Sequence, residues 1–310
     1  MTVGQFLALF RRSAAAWNDD DASSMGAALA FYTLFSIAPL LVIVMAGAGV
    51  IFGHDATQAH ILGQLRGLIG DAGAQAAEDL LSNANSPAKS AAAAVVGTAL
   101  LLLGATSVFT ELYGNLNRIW RSPSAPKVSG IWHLVRNRIL SFGMILGIGF
   151  LLLVSLVISA GLAAAGDWWG SHLSGWPLVG QLGRLIVSLA TYGLAFAMIY
   201  KFLPRAHIEW HDVWIGATVT AVLFEIGKLL IGLYVGSAVI TSVFGAAGSL
   251  LVLLVWVYYS AQVFLFGAEF TRVYAYRRGS HAGEQPPEPP PQRKGRPLNP
   301  APAQKGAHRK

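Results

Sequence analysis

Glu225 and Lys228 lie three residues apart near the middle of an otherwise apolar stretch, 213–235. On a helix that spacing brings a carboxylate and an ammonium onto nearly one face. At the centre of a bilayer each charge costs at least about 2.5–3.5 kcal/mol, so such groups face protein or water. Arg184, the seventh residue of the stretch 178–202, is expected in the outer half of the membrane, as is Lys228, because the two stretches run in opposite directions. A basic pair above a central carboxylate fits a polar cavity that meets an anionic group. A plain ion pair, with an arginine reaching back to the interface, fits the same residues. Pro39 interrupts the first apolar stretch, with Tyr32 and Ser36 on the preceding turns. The carbonyls it frees need neighbours or water, as in a hinge, an unwound substrate site or a static kink. Tyr258 and Gln262 could add polar lining, and Glu269 with Arg272 reads as a structural i, i+3 pair.

Other chemistry finds little support. With no Cys there is no disulfide, thiolate ligand or Cys nucleophile. The eight His are scattered, and only His207 and His211 share helical spacing, with Glu209 and Asp212 beside them. A metal centre needs three or four converging ligands, so none is expected here. Asp212 is placed instead to cap the following helix, and Trp210 and Trp214 to anchor at an interface. There is no Gly-x-Ser-x-Gly elbow and no phosphate-binding loop. The expectation is a protein that is not an enzyme and uses no cofactor.

The elements that position these residues follow from composition. Of 310 residues, 54% are hydrophobic and 12% charged, against roughly 25% charged in a soluble domain. Six stretches suffice to cross a hydrocarbon core: about 27–52, 91–109, 139–164, 178–202, 213–235 and 243–268. Barrel-type alternation is absent, so the class is all-α and polytopic. No short signal sequence precedes the first stretch, which is expected to serve as its own targeting signal. Eighteen of the 22 Lys and Arg fall in alternate connections and the two ends, while the opposite connections hold only Arg66 and Lys89. That asymmetry predicts both termini in the cytoplasm and an even number of spans.

Residues 1–25 form an expected cytoplasmic amphipathic helix, 26–272 the six-span domain, and 273–310 a disordered, basic, Pro-rich tail. The first helix places Val3, Phe6, Leu7, Phe10, Ala14 and Trp17 on one face, either at the membrane interface or under the bundle. An outer amphipathic helix is predicted at 57–81. Residues 110–121 continue the second span, with Leu112, Leu116 and Ile119 on one side and Glu111, Asn115 and Arg118 on another.

The block Ala27-Ala-Leu-Ala-Phe-Tyr-Thr-Leu-Phe-Ser-Ile-Ala-Pro-Leu-Leu41 resembles the opening span of the YihY/BrkB virulence-factor family of bacterial inner-membrane proteins. So do Asn117, Arg118 and Trp120, then Pro204, Phe224-Glu225, Lys228, Gly245, Trp256 and Glu269, in that order. Where the family often has Tyr-Gly, this chain has Phe244-Gly245, which removes a hydroxyl. The resemblance implies about six spans in the inner membrane and a role in envelope maintenance. A former ribonuclease label for the family finds no metal-ligand cluster here. Expected partners are membrane lipids, and a homo-oligomer or envelope proteins, with no nucleic acid. Transport or flipping of an anionic lipid or other amphiphile is the leading expectation, and a non-transporting envelope scaffold the alternative.

Overall fold

The computed structural model describes residues 3–36, 107–122, 176–235 and 246–285, with a few single positions between 58 and 78. Every regular element among them is a helix: α1 (Val3–Asp19), α2 (22–36), α3 (107–119), α4 (Trp176–Phe202), α5 (Trp210–Val235) and α6 (Ala246–Arg278). Among the described residues three stretches are long and apolar enough to cross a membrane: Gln181–Phe202, Trp210–Ile231 and Leu251–Arg278. They overlap the expected fourth to sixth spans, and α2 carries the start of the first. Pro39, Gly245, the third span, most of the second and the tail beyond 285 lie outside the described residues.

Antiparallel α4 and α5 pack together, α5 packs on α6, and α1 lies along α6. The α5–α6 seam is built from small residues and hydroxyls. Thr220 Oγ1 donates back to the Gly216 carbonyl at 2.8 Å, and Thr271 Oγ1 to that of Gly267 at 2.7 Å. Tyr200, fully buried, donates to the Phe264 carbonyl at 2.7 Å and meets Thr220 Oγ1 at 3.1 Å. Gly267 has no room for a side chain, because a Cβ there would collide with Thr220 and the Tyr200 hydroxyl. Small residues of this kind let helix backbones approach closely in a bilayer.

The main core gathers one end of every described helix except α1, with Trp17 of α1 packed at its edge. It joins Ala22 and Met25, Leu116, Ile119 and Trp120, Ala197 and Tyr200, Val213 and Ala217, and Leu265 and Ala268. α6 runs through its centre. At 1.5 Å per residue its 33 residues span about 50 Å, well beyond a core of about 30 Å. Its turns from Phe266 onward meet α1. The helix also continues through Arg278, beyond residue 272 where the sequence reading ends the membrane domain. Tyr274 and Ala275 are buried there, which holds the extra turns in place.

α1 buries a different face from the one expected. Phe10 packs 4.7 Å from Phe266 and Phe6 5.9 Å from Phe270, ring centre to ring centre, and Leu9 and Ser13 are buried. Val3, Leu7 and Ala14 are exposed. Ser13 tolerates burial because its hydroxyl donates to the Leu9 carbonyl at 2.9 Å. The helix thus packs under the bundle, and the two ends of the described chain share one side.

The tight seam yields a stability prediction. Gly267→Ala overpacks it and lowers stability by about 1–3 kcal/mol, read as a lower melting temperature in detergent. Gly193→Ala, whose new methyl would meet only Ala221 Cβ at 3.9 Å, leaves melting unchanged or slightly raised.

Candidate functional site

Glu225 and Lys228 do form an ion pair, with Nζ 2.9 Å from Oε1. Two residues of α4 complete the setting. Ser188 Oγ donates to Glu225 Oε2 at 3.1 Å, and the Lys228 ammonium sits 5.4 Å from the centre of the Tyr192 ring. Both carboxylate oxygens are therefore engaged, and the cation has an anion and a ring face, each able to offset lost hydration. The side chains keep 20% (Lys228) and 14% (Glu225) exposure, so the pair borders open space. Arg184 stands one turn from Ser188 and is exposed, with no ion-pair partner among the described residues.

An aromatic layer separates this pair from the 203–209 connection. Tyr192 packs edge-on to Phe224 at 4.9 Å, Phe224 to Phe196 at 5.8 Å and to Trp256 at 5.5 Å, and Phe264 lies 5.2 Å from Tyr200. Other expected cavity residues go elsewhere. The Ser36 hydroxyl donates to the Tyr32 carbonyl of its own helix at 2.8 Å, and Tyr32 packs on Phe31. Gln262 reaches the Ser23 carbonyl at 3.3 Å, against Gly26, and Tyr258 is exposed.

A second group of charges is more deeply enclosed. Arg272 Nη2 lies 2.7 Å from Glu269 Oε2 and 3.5 Å from Asp20 Oδ2, and Arg121 Nη2 lies 3.9 Å from Asp20 Oδ1. Glu269 is fully buried and Asp20 and Arg272 nearly so. The expected Glu269–Arg272 pair is thus half of a four-residue cluster joining the α1–α2 turn, the end of α3, and α6. Asp20 was hidden in the run Asp19-Asp20-Asp21, although it continues the helical spacing of Ser13 and Trp17 on the buried face. Asp21 and Arg121, beside the cluster, have positive φ of 56° and 49°. Non-glycine residues in that region cost of order 1–3 kcal/mol, so the surrounding contacts hold both turns in place. Burial first, then the nearby Arg272 guanidinium, lowers the Arg121 pKa, with Asp20 opposing.

The family-type residues around this end have identifiable work. Asn117 donates to the Tyr113 carbonyl at 2.7 Å, and its Oδ1 accepts the Arg205 backbone N–H at 2.9 Å. The Arg205 side chain hydrogen-bonds and covers Tyr113. Pro204, Trp120 and Trp256 are buried, and Arg118 is exposed. These contacts clamp the 203–209 connection onto α3.

A family profile described as Virulence factor BrkB matches residues 13–293. A UPF0761 membrane protein of Ralstonia nicotianae is 32% identical over 275 residues, covering 86% of this chain and 58% of that protein. One from Rhodospirillum centenum is 28% identical over 276 residues, covering 88% and 58%. The UPF0761 membrane protein YihY of Escherichia coli O1:K1 is 32% identical over 214 residues, covering 67% of each chain. The chain thus spans under three fifths of the length of the first two. No solved structure matches it.

The start of α5 and the end of α6 are joined by a polar cap. Asp212 does not cap α5 as expected. The helix opens at Trp210, the Asp212 and Val213 N–H groups both donate to the Glu209 carbonyl, and the buried Asp212 carboxylate turns to the end of α6. There it accepts the Ser280 hydroxyl at 2.6 Å and backbone N–H at 3.1 Å. His211 meets the Tyr274 hydroxyl at 3.2 Å, while the exposed His207 stands 3.7 Å from Glu209. His281 lies 2.9 Å from Glu284 Oε2 and 3.2 Å from the His207 carbonyl. Partial burial pulls its pKa down, but those two hydrogen bonds outweigh it, and the net shift is upward. A raised histidine stabilises the fold fully below its unfolded value of about 6.5, and that contribution is lost as pH rises through the folded value. The amides of 280–284, corrected for intrinsic exchange rates, should therefore lose hydrogen-exchange protection as pH rises from about 6 to 8. His281→Ala should abolish that pH dependence.

Proposed function

The chain belongs to the BrkB virulence factor family, and on that premise we propose that it transports or flips an anionic lipid or other amphiphile across the bacterial inner membrane. The observation that carries this reading is the Glu225–Lys228 pair, held by Ser188 and Tyr192 within the membrane and still partly open. An ammonium with spare donors at that depth attracts an anionic head group, and Arg184 on the neighbouring turn of α4 extends the basic path. Glu225 holds the cation in place when the site is empty and balances charge or carries a proton during passage. The aromatic layer on the loop side closes the path in that direction. Bound lipid, envelope proteins or a second copy of the chain are the partners this role calls for.

A non-transporting envelope scaffold is the second reading, and the completeness of the ion pair favours it. Two variants separate them. Glu225→Gln keeps size and hydrogen bonding but leaves Lys228 without its anion, which costs up to about 3–5 kcal/mol for a fully buried pair and less at this partial exposure. Adding Lys228→Met restores the melting temperature in either case. We expect the stable double variant to fail in complementing an envelope-sensitivity phenotype. Full complementation by the double variant removes the case for a working carboxylate.

The inner-membrane orientation with cytoplasmic termini belongs to the same proposal. The packing of α1 on the end of α6 supports it, as do Arg121, Arg205, Arg277 and Arg278 at that side. Reporter fusions after residues 125, 208 and 280 should report cytoplasm, and fusions after 75 and 172 the outer side. A periplasmic signal at 280 contradicts the six-span count.

A further inference from the structure

The transport reading leaves the enclosed cluster of Asp20, Arg121, Glu269 and Arg272 without a task. Its two carboxyls converge on one guanidinium nitrogen, Arg272 Nη2, with Asp20 Oδ2 at 3.5 Å and Glu269 Oε2 at 2.7 Å, across the joint between the α1–α2 turn and α6. Glu269 is 0% and Asp20 2% exposed. One nitrogen, Arg272 Nη2, serves both. It is close to Glu269 Oε2, yet its N–H bonds are aimed off that oxygen. Among the described residues neither Glu269 oxygen receives a hydrogen bond, and neither does Asp20 Oδ2. Buried acceptors without donors are costly, and two adjacent carboxylates repel.

We propose that Asp20 and Glu269 together form a binding site for a single proton, shared between the two carboxyls at the joint of the N-terminal helix with α6. The proton converts one carboxylate into an O–H donor. That donor bonds the facing carboxylate and ends the repulsion in one step. No co-reactant is needed: an oxygen lone pair takes the proton from water and returns it to water. Arg272 then neutralises the remaining negative charge of the pair.

The charged groups that face the site come from each of the elements around it. Asp19 acts on Arg121 from the end of α1, Arg121 faces Asp20 from beyond α3, and Arg272 and Tyr276 lie along α6. Asp19 is exposed at the end of α1, so within the enclosure itself the two carboxyls face the guanidiniums of Arg121 and Arg272. The site lies at the end of α6 where α1 docks, so proton occupancy sets how firmly the N-terminal helix is held. This inference is independent of the transported substrate and stands or falls without a transport assay.

The test is infrared spectroscopy of the full chain in lipid nanodiscs across a pH series. Free Asp and Glu are ionised above about pH 5. Wild-type protein should show a protonated-carboxyl C=O band at neutral pH that shifts in heavy water and disappears in alkali. Glu269→Gln and Asp20→Asn should each lose that band. Glu269→Gln supplies an N–H in place of the O–H, so its melting temperature should stay level as pH rises while that of the wild type falls. Absence of the band from wild type at neutral pH overturns the proposal, whether or not either variant folds. A band that survives in both variants overturns it too, because it then belongs to another carboxyl.

Discussion

Compensation of buried charge is the constraint on which the arrangement depends. A lone ionised group inside a protein costs several kcal/mol, and removing one partner of a buried pair leaves that cost unbalanced. Asp20, Arg121, Glu269 and Arg272 come from three separate parts of the chain, and none can be buried without the others. The α1–α2 turn, the end of α3 and the later turns of α6 must therefore meet at one place. The apolar residues around them, Trp120, Leu116, Leu265 and Ala268, contribute packing that the charges alone could not supply. The left-handed turns at Asp21 and Arg121 show the same dependence: their backbone strain persists because the cluster and core fix both chain reversals.

The two charged groups differ in a way that bears on function. The Glu225–Lys228 pair sits on one turn of one helix and needs only Ser188 and Tyr192 from its neighbour. Its loss strands a cation but unties no distant elements. The enclosed cluster is the reverse, tying elements together while keeping almost no exposure. A site that exchanges a ligand with its surroundings needs some opening and few structural duties, and the intramembrane pair has both. A site that senses a proton needs enclosure and a mechanical connection, and the cluster has those.

What was legible in the sequence follows from the range of each signal. Apolar stretches are local, so the spans at α4, α5 and α6 could be read directly, and so could the i, i+3 pairing of Glu225 with Lys228. Ser188 and Tyr192 could not, because they approach from a helix about 37 residues earlier and look like ordinary span residues. Arg184 was legible as costly but not as exposed, since no residue type shows which face meets lipid. Asp20 was obscured by its two acidic neighbours. The face of α1 was half right: Phe10 and Trp17 are partly buried, while Phe6 touches Phe270 yet stays exposed, Leu7 is exposed, and Leu9 and Ser13 are buried in their stead, Ser13 by bonding its own backbone. Hydrophobicity could not foresee that exchange. Asp212 was legible as a first-turn residue of α5 but not as the acceptor for Ser280, 68 residues away.

α6 connects these separate features. Along its length it meets the aromatic layer at Trp256 and Phe264, the hydroxyl seam at Gly267 and Thr271, the charge cluster at Glu269 and Arg272, and the cap at Gly279 and Ser280. Close contact at Gly267 and Gly216 leaves little slack between α5 and α6, so a shift of α6 carries α5 with it. The loop end of α5 is pinned by Asp212, and beside Glu225 and Lys228 the buried Gly227 packs against the Tyr259 ring of α6, whose hydroxyl donates to the Leu223 carbonyl at 3.1 Å. A change in how α1 is held on the end of α6 would thus reach the intramembrane pair through one stiff helix and its tightest neighbour. Along α6 the aromatic layer lies between the charge cluster at Glu269 and Arg272 and the ion pair on α5, so one helix and its closest neighbour connect the proposed proton site with Glu225 and Lys228.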